Sequence, residues 1–369
     1  MRQFLQSALL VALSTVTAAQ MPGNGPVDAL DGLDPVLLVQ GKEVPGKSAI
    51  SAVHEKFLYL FSSAENKAAF EREPAKYAIQ FGGLCARMGR TTGGNPSDFI
   101  VHDGKIYIFG SDECHKRFQA SPAKYLPSPA APLPSAKDAA VRGRQMLDAA
   151  ANAIAPAKIF DAVTTLVETV SQTQPRPQGT VLVTAKTMWL YPERVRQDRS
   201  MTLMGKTMAS STVFAPEGMW FLAGQGQAYP MVAAARPALE LEYGRHPVAL
   251  LRARHSQEFK SFGDGSASIE GTAVRRIRIV HGGLDVRLNL DAQDRVHSVT
   301  FRERNAEGVY GDYTVLYSDY KAVDGLQLPF TVRALFDGQP DPFQSWTVQS
   351  VAVNAPLEAT LFAPPAKRP

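Results

Sequence analysis

Apolar positions in this chain follow two periods. Up to Tyr125 a unit of strand, turn and short helix is written twice. FLYLFSSAENKAAFEREPAKY at 57–77 aligns with KIYIFGSDECHKRFQASPAKY at 105–125. Tyr59 matches Tyr107, Phe61 matches Phe109, Glu65 matches Glu113, Phe70 matches Phe118, and Pro-Ala-Lys-Tyr closes both copies. Each copy predicts a buried strand, a Ser/Asp turn able to cap a helix, and an amphipathic helix halted by proline. The strands fall at 56–61 and 99–109, the second with a hairpin turn at Asp103-Gly104, and the helices at 64–71 and 112–119. Helical spacing returns at 138–153 and 156–171. From Gly179 the period becomes two, and TVLVTAKTMWLY, STVFAPEGMWFL, AVRRIRIVH, LDVRLNL, HSVTFRE, YTVLYSDY, LPFTVRALF and SWTVQSVAVN read as strands. One helical stretch, about 230–255, interrupts them.

The change of period coincides with a break in composition. PSPAAPLPSAK at 127–137 can join neither a helix nor a strand. The expected organisation is an export signal at 1–19, a first domain at 20–127, a Pro/Ala linker at 128–137 and a second domain at 138–369. In the signal, Arg2 supplies the positive start, 8–13 the short apolar core and Thr17-Ala18-Ala19 the cleavage site. No cysteine follows it, so no lipid anchor is expected there. No apolar run is long enough for a membrane span. The expected location is the periplasm or the exterior. A net charge of +4, scattered along the chain, gives no footprint for nucleic acid.

GLDPV at 32–36, KFLYLFSSAENKAAFEREPAKYAIQFGGLCA at 56–86 and DFIVHDGKIYIF at 98–109 stand in the order found in YHS-domain proteins. Residues 27–127 resemble that family, which implies a small α+β domain with heavy-metal binding. LYPERVRQD at 190–198, VFAPEGMWFL at 213–222, DYKAVDGLQLPFTVRALFDG at 319–338 and VQSVAVNAPLEATLFAPP at 348–365 resemble the lipoprotein-carrier group of LolA/LolB type. That resemblance implies an antiparallel half-barrel with helices on its concave face. The expected fold class is therefore α+β: a small domain on a duplicated strand–helix unit, then a half-barrel.

The two cysteines, Cys85 and Cys114, both lie in the duplicated region. In an oxidising compartment they are open to three states: a disulfide, metal-binding thiolates, or free thiols. Cys85, Cys114, His115 and His54 form the candidate metal set, for copper or zinc. Against zinc, no C-x-x-C pair is present, and the position of Cys114 in the first copy is Asn66, so the repeat does not duplicate a ligand. Trp189, Trp220 and Trp346 lie on candidate strands of the half-barrel, where they would line a cavity for a lipid or another hydrophobic ligand; the other reading is an ordinary sheet core covered by the 230–255 helix. Arg275, Arg276 and Arg278 read as a solvated sheet face. No H-E-x-x-H, G-x-S-x-G or marked carboxylate pair is present, so catalysis has no constellation behind it. The expectation is a non-enzymatic binding or carrier protein. The alternative is a structural or interaction protein of the cell envelope, with a protein partner and a Cys85–Cys114 disulfide.

Overall fold

A computed structural model describes residues 26–89, 92–176, 179–223 and 227–363. The signal expected at 1–19 lies outside the described residues. The chain divides into two compact units. Among the described residues, one comprises 26–129 with 233–235 and 304–310, the other 130–232, 236–303 and 311–363. The division falls inside the proline-rich linker.

In the first unit, β1 (Val27–Asp28) runs parallel to β3 (Phe57–Phe61), which pairs antiparallel with β2 (Lys47–His54). The short helix α1 (Pro35–Leu38) precedes β2, and α2 (Ala64–Arg72) and α3 (Pro74–Tyr77) follow β3. The second hairpin, β4 (Asn95–His102) and β5 (Lys105–Phe109), leads into α4 (Asp112–Ala120). Expected strands and helices are present at both places.

The duplication reaches further back than the matched letters. Asp28 pairs parallel with Leu58, and Ile79 pairs parallel with Ile106. After each comes the same left-handed turn, at Leu30, Asp31 and Gly32 (φ 58°, 51° and 77°) and at Phe81, Gly82 and Gly83 (φ 57°, 60° and 81°). Leu33 then bridges Pro45, and Leu84 bridges Gly93. Each hairpin is bulged once, between Lys47 and Ser51 and between Asn95 and Phe99. Ahead of the bulge a glycine touches the facing strand. A Cβ on Gly46 would sit 2.4 Å from the Leu60 backbone, and one on Gly94 2.4 Å from Ile108. Only glycine allows that approach. Across these turns and bridges the shared letters are Gly32/Gly83, Leu33/Leu84 and Gly46/Gly94, glycine being kept where the backbone requires a positive φ or a close approach.

The second unit is a fourteen-stranded antiparallel sheet with four helices. Helices α5 (Ala139–Ile154) and α6 (Ala157–Phe160) come first. A meander follows of β6 (Thr165–Arg176), β7 (Gly179–Leu190), β8 (Arg194–Leu203), β9 (Lys206–Ala215), β10 (Gly218–Ala223) and β11 (Gln227–Pro230). Helices α7 (Arg236–Gly244) and α8 (Pro247–Arg252) intervene. The second meander is β12 (Lys260–Ile269), β13 (Thr272–His281), β14 (Leu284–Leu290), β15 (Val296–Arg304), β16 (Tyr310–Val323), β17 (Leu326–Phe336) and the short β18 (Gln339–Pro340). The last strand, β19 (Trp346–Val353), inserts between β6 and β17 and joins the two meanders.

Flat, such a sheet would be roughly 60 Å wide at about 4.8 Å per strand. Instead one core takes in Leu166, Trp189, Val195, Met219, Ile277, Leu288, Val299 and Val315 from strands across its width, with Leu147, Leu239 and Leu251 from the helices. The sheet therefore curls round its helices, and its edge strands β11 and β12 are not paired with each other. The expected open sheet with helices inside is what forms. Helix α5 lies close on β12, because a Cβ at Gly143 would stand 2.6 Å from the Phe262 nitrogen.

Two expected helices differ. The segment 156–171 is helical only over α6 and then enters β6. Its Thr, Val and Thr side chains favour a pleat, and twelve consecutive pairings with β7 outweigh an apolar spacing that suits either state. The stretch 230–255 splits at Gly244 to His246, where Pro247 starts a new helix.

Candidate functional site

In the first unit the turn and the helix of each copy are joined by one side-chain pair. In the first copy it is Asp34 and Asn66. The Asn66 amide donates to Asp34 Oδ2 at 2.7 Å, as do the Ser62 amide and hydroxyl, and the Val36 amide donates to Oδ1 at 2.9 Å. Burial pushes the Asp34 carboxyl up, but these four donors outweigh it and hold it below the usual carboxylate range. Asn66 is the third residue of α2, whose cap is Ser63.

The second copy has Cys85 after the same left-handed turn and Cys114 as the third residue of α4, capped by Ser111. The two backbone settings match: the Asp34 amide donates to Val44 at 2.9 Å and the Cys85 amide to Thr92 at 2.7 Å. Where the first copy has a carboxylate and an amide, the second has two sulfurs. Both cysteines are free, Cys85 with none of its surface exposed and Cys114 with 6%. The Cys85 thiol donates to the Cys114 sulfur. That bond, with the Ser111 hydroxyl and the Arg87 guanidinium at 3.7 Å, holds the Cys114 thiol well below its ordinary value against the cost of burial. For Cys85 the same bond and burial act upward. The first pocket thus holds a negative charge on its turn, and in the second the bond between the sulfurs, with the Arg87 guanidinium beside Cys114, favours one thiolate in the pair.

The candidate histidines lie elsewhere. His115 Nδ1 is bonded to Asp98, and its ring stacks on Phe109 at 4.6 Å. His54 belongs to the first copy, edge-on to Phe70 at 5.8 Å, and its counterpart His102 makes the same contact with Phe118 at 6.0 Å. Of the four candidate ligands the fold brings together two, Cys85 and Cys114. Among the described residues no group of three or more His, Cys, Asp or Glu side chains is placed to hold a metal ion. A tetrahedral zinc site does not fit that donor set, whereas a soft ion that accepts two thiolates does.

In the second unit the three tryptophans do not share a cavity. Pairing places Trp189, Val195, Phe214 and Met219 on one face of β7–β10, and Met188, Arg196, Val213 and Trp220 on the other. Trp189 is in the core, its indole N–H 3.4 Å from the Tyr243 carbonyl and its ring 4.8 Å from that of His246. Trp346 lies on the same face, under the Arg199 guanidinium at 5.9 Å. Trp220 projects from the opposite face. The arginines read as a solvated face are each bonded. Arg275 pairs with Asp294, Arg278 is buried and pairs with Asp285, and Arg276 donates to the Asp264 carbonyl.

A cavity of about 500 Å³ lies at one end of β13–β16 instead. It is lined by Ala273, Val296, Tyr317 and Tyr320 together with polar and charged side chains, among them Asp291, Arg295, His297 and Asp319. Val296 and Tyr317 belong to the core, and the Tyr320 hydroxyl donates to the Val296 carbonyl. Burial holds the His297 imidazole below its ordinary value, despite Asp291 and Glu270 nearby. Alternation in YTVLYSDY places Tyr317 inward, but nothing local says that space remains beside it.

No family model matches the chain, and no curated protein matches it. Among solved structures it is similar to a LolA superfamily protein from Nitrosomonas europaea (11% identity, TM-score 0.41) and a DUF1329 family protein from Desulfovibrio piger (11% identity, TM-score 0.38). Each likeness covers 60% of this chain and 97% of the other. Among the described residues no helix is long and apolar enough to cross a membrane.

Proposed function

We propose that this is an exported, non-catalytic binding protein whose first unit holds a soft monovalent cation, Cu(I) by preference, between Cys85 and Cys114. The observation behind this reading is the pair itself: two sulfurs distant in sequence share a hydrogen bond inside a pocket whose sibling copy holds a carboxylate. Thiolates select soft ions, and two of them suffice for a d10 monovalent ion, whereas zinc needs four donors. Arg87 fits the same reading, because a cation held by two thiolates leaves one net negative charge to be matched. Competition for Cu(I) against a chromophoric chelator tests it. Against a chelator strong enough to strip thioether ligands, one equivalent should be withheld by the reduced protein and none by Cys85→Asp/Cys114→Asn, which copies the first repeat's pair and so keeps the latch between turn and helix. Equal withholding by both would end the proposal. Two unreactive sulfurs in denatured, unreduced protein would favour the disulfide-bonded envelope protein instead.

The half-barrel supports a second binding role, for a hydrophobic ligand such as a lipid. The observation in its favour is the 500 Å³ cavity, a size usual for small-molecule sites, in which Ala273, Val296, Tyr317 and Tyr320 offer apolar surface among polar side chains. Native mass spectrometry of protein purified from membranes of its host would show a co-purified lipid, and its absence in lipid-supplemented samples too would count against the role.

A further inference from the structure

The tip of the β8–β9 hairpin departs from the pattern of its own molecule. Five described hairpins turn on a residue followed by glycine with both φ positive: Asp103-Gly104, Met204-Gly205, Glu270-Gly271, Asp324-Gly325 and Asp337-Gly338. Such turns favour Asn or Asp in the first place, where a short polar side chain tolerates the left-handed backbone. Four of the five carry a carboxylate. The fifth carries Met204, at φ 50° and 80% exposed. A long apolar side chain has neither propensity nor burial to recommend it there.

Two more methionines flank it. Met201 on β8 and Met208 on β9 are direct cross-strand partners, and Met208 is 45% exposed. Side chains directly opposite in an antiparallel pair have Cβ atoms about 4.5–5.5 Å apart, within easy reach of one another. Three of the chain's ten methionines thus fall within eight residues of one hairpin. Thioethers are soft, flexible donors that bind without losing a proton, and they discriminate strongly against hard ions.

We propose that Met201, Met204 and Met208 form a thioether site for a soft monovalent cation, Cu(I) or Ag(I), separate from the cysteine pair. Lys206, opposite Leu203 and two residues from Met208 on β9, puts a positive charge on the same hairpin, which opposes a bound cation and would favour release over storage.

The test uses full-length protein carrying Cys85→Asp/Cys114→Asn and labelled with [methyl-13C]methionine, with Ag(I) as an air-stable probe. Three methyl resonances, assigned by Met201→Leu, Met204→Leu and Met208→Leu, should move together and saturate at one equivalent. Zn(II) should leave them in place. Met204→Leu should weaken Ag(I) binding by about tenfold or more, the scale on which metal sites respond to loss of supporting groups. Lys206→Gln should tighten it. Unchanged methyl signals, equal binding by the triple leucine variant, or an equal response to Zn(II) would overturn the proposal. So would methyl broadening on phosphatidylglycerol vesicles without Ag(I), which would mark the tip as a membrane contact. The same spectra of the wild-type chain, taken past the equivalent its thiols absorb, give the answer should the double variant misfold.

Discussion

Asp34 shows what the duplicated pocket demands of a single side chain. It accepts from two backbone amides, a hydroxyl and the Asn66 amide while fully buried. Asp34→Ala would strand several of these donors, and each unsatisfied buried group costs about 1–3 kcal/mol. We expect the first unit to lose about 2–4 kcal/mol in denaturant unfolding, the relaxed site recovering the rest. The pH dependence follows from the same bonds. Because the folded-state pKa of Asp34 is depressed, the unfolded chain binds the proton more readily. Its contribution is therefore complete above the ordinary carboxylate pKa of about 4 and is lost as pH falls through the lower folded value. Acid titration of wild type against Asp34→Ala should show their stabilities converging in that range. The position was legible in the motif GLDPV but its partner was not, because Asn66 lies a whole hairpin away. Cys85 and Cys114 were legible as candidates, and their meeting was not. The duplicated sequence even argued against a shared ligand pair, since Asn66 aligns with Cys114. Alignment at the helices' offset of 48 misses Asp34 as the counterpart of Cys85, because the turn, where Gly32-Leu33 matches Gly83-Leu84, lies at an offset of 51.

At the scale of elements, the approach of α5 to β12 depends on Gly143. A side chain there meets Phe262 backbone, which cannot rotate away. Overpacking of this kind typically costs about 1–3 kcal/mol, and Gly143→Val should lower the unfolding midpoint of the second unit by a corresponding amount. Strand β19 has a larger role. It is last in the chain and central in the sheet, hydrogen-bonded to β6 and β17 at once. Removing residues from Asp341 onward would expose both meanders' inner edges, and we expect no cooperative thermal transition in the remaining second unit by circular dichroism. The period-two stretches located nine of the fourteen described strands, because alternation is a local property; they missed β8, β11, β12 and β18, and β6 was expected as a helix. Their order in the sheet is a matter of pairing between distant segments. The helix expected at 156–171 failed for the same reason: its pattern permitted two states, and the partner strand chose.

The whole molecule carries three candidate sites of different chemistry: a pair of cysteine sulfurs, a cluster of thioethers at a hairpin tip, and a cavity of mixed lining beside Tyr317. For the cavity, Ala273→Trp would fill space beside Tyr317 and Val296, and should abolish binding of a fluorescent fatty-acid probe while leaving Cu(I) binding intact. Loss of both would point to misfolding, and loss of neither would place the probe elsewhere. The chain by itself determined the repeated sequence, the change of period past the proline-rich stretch, the sheet-rich second half and the residue types available for chemistry. These are properties of neighbours in sequence: hydrophobic period, turn residues, proline density. Only the tertiary structure decided which residues meet. Cys85 and Cys114 are joined because equivalent turns and helices close on one another. His54 and His115 are kept apart by the rings they pack against. Trp220 faces away from Trp189 because pairing across β8 and β9 sets its side of the sheet. Contact between distant residues is fixed by backbone pairing and close packing, which no local pattern encodes.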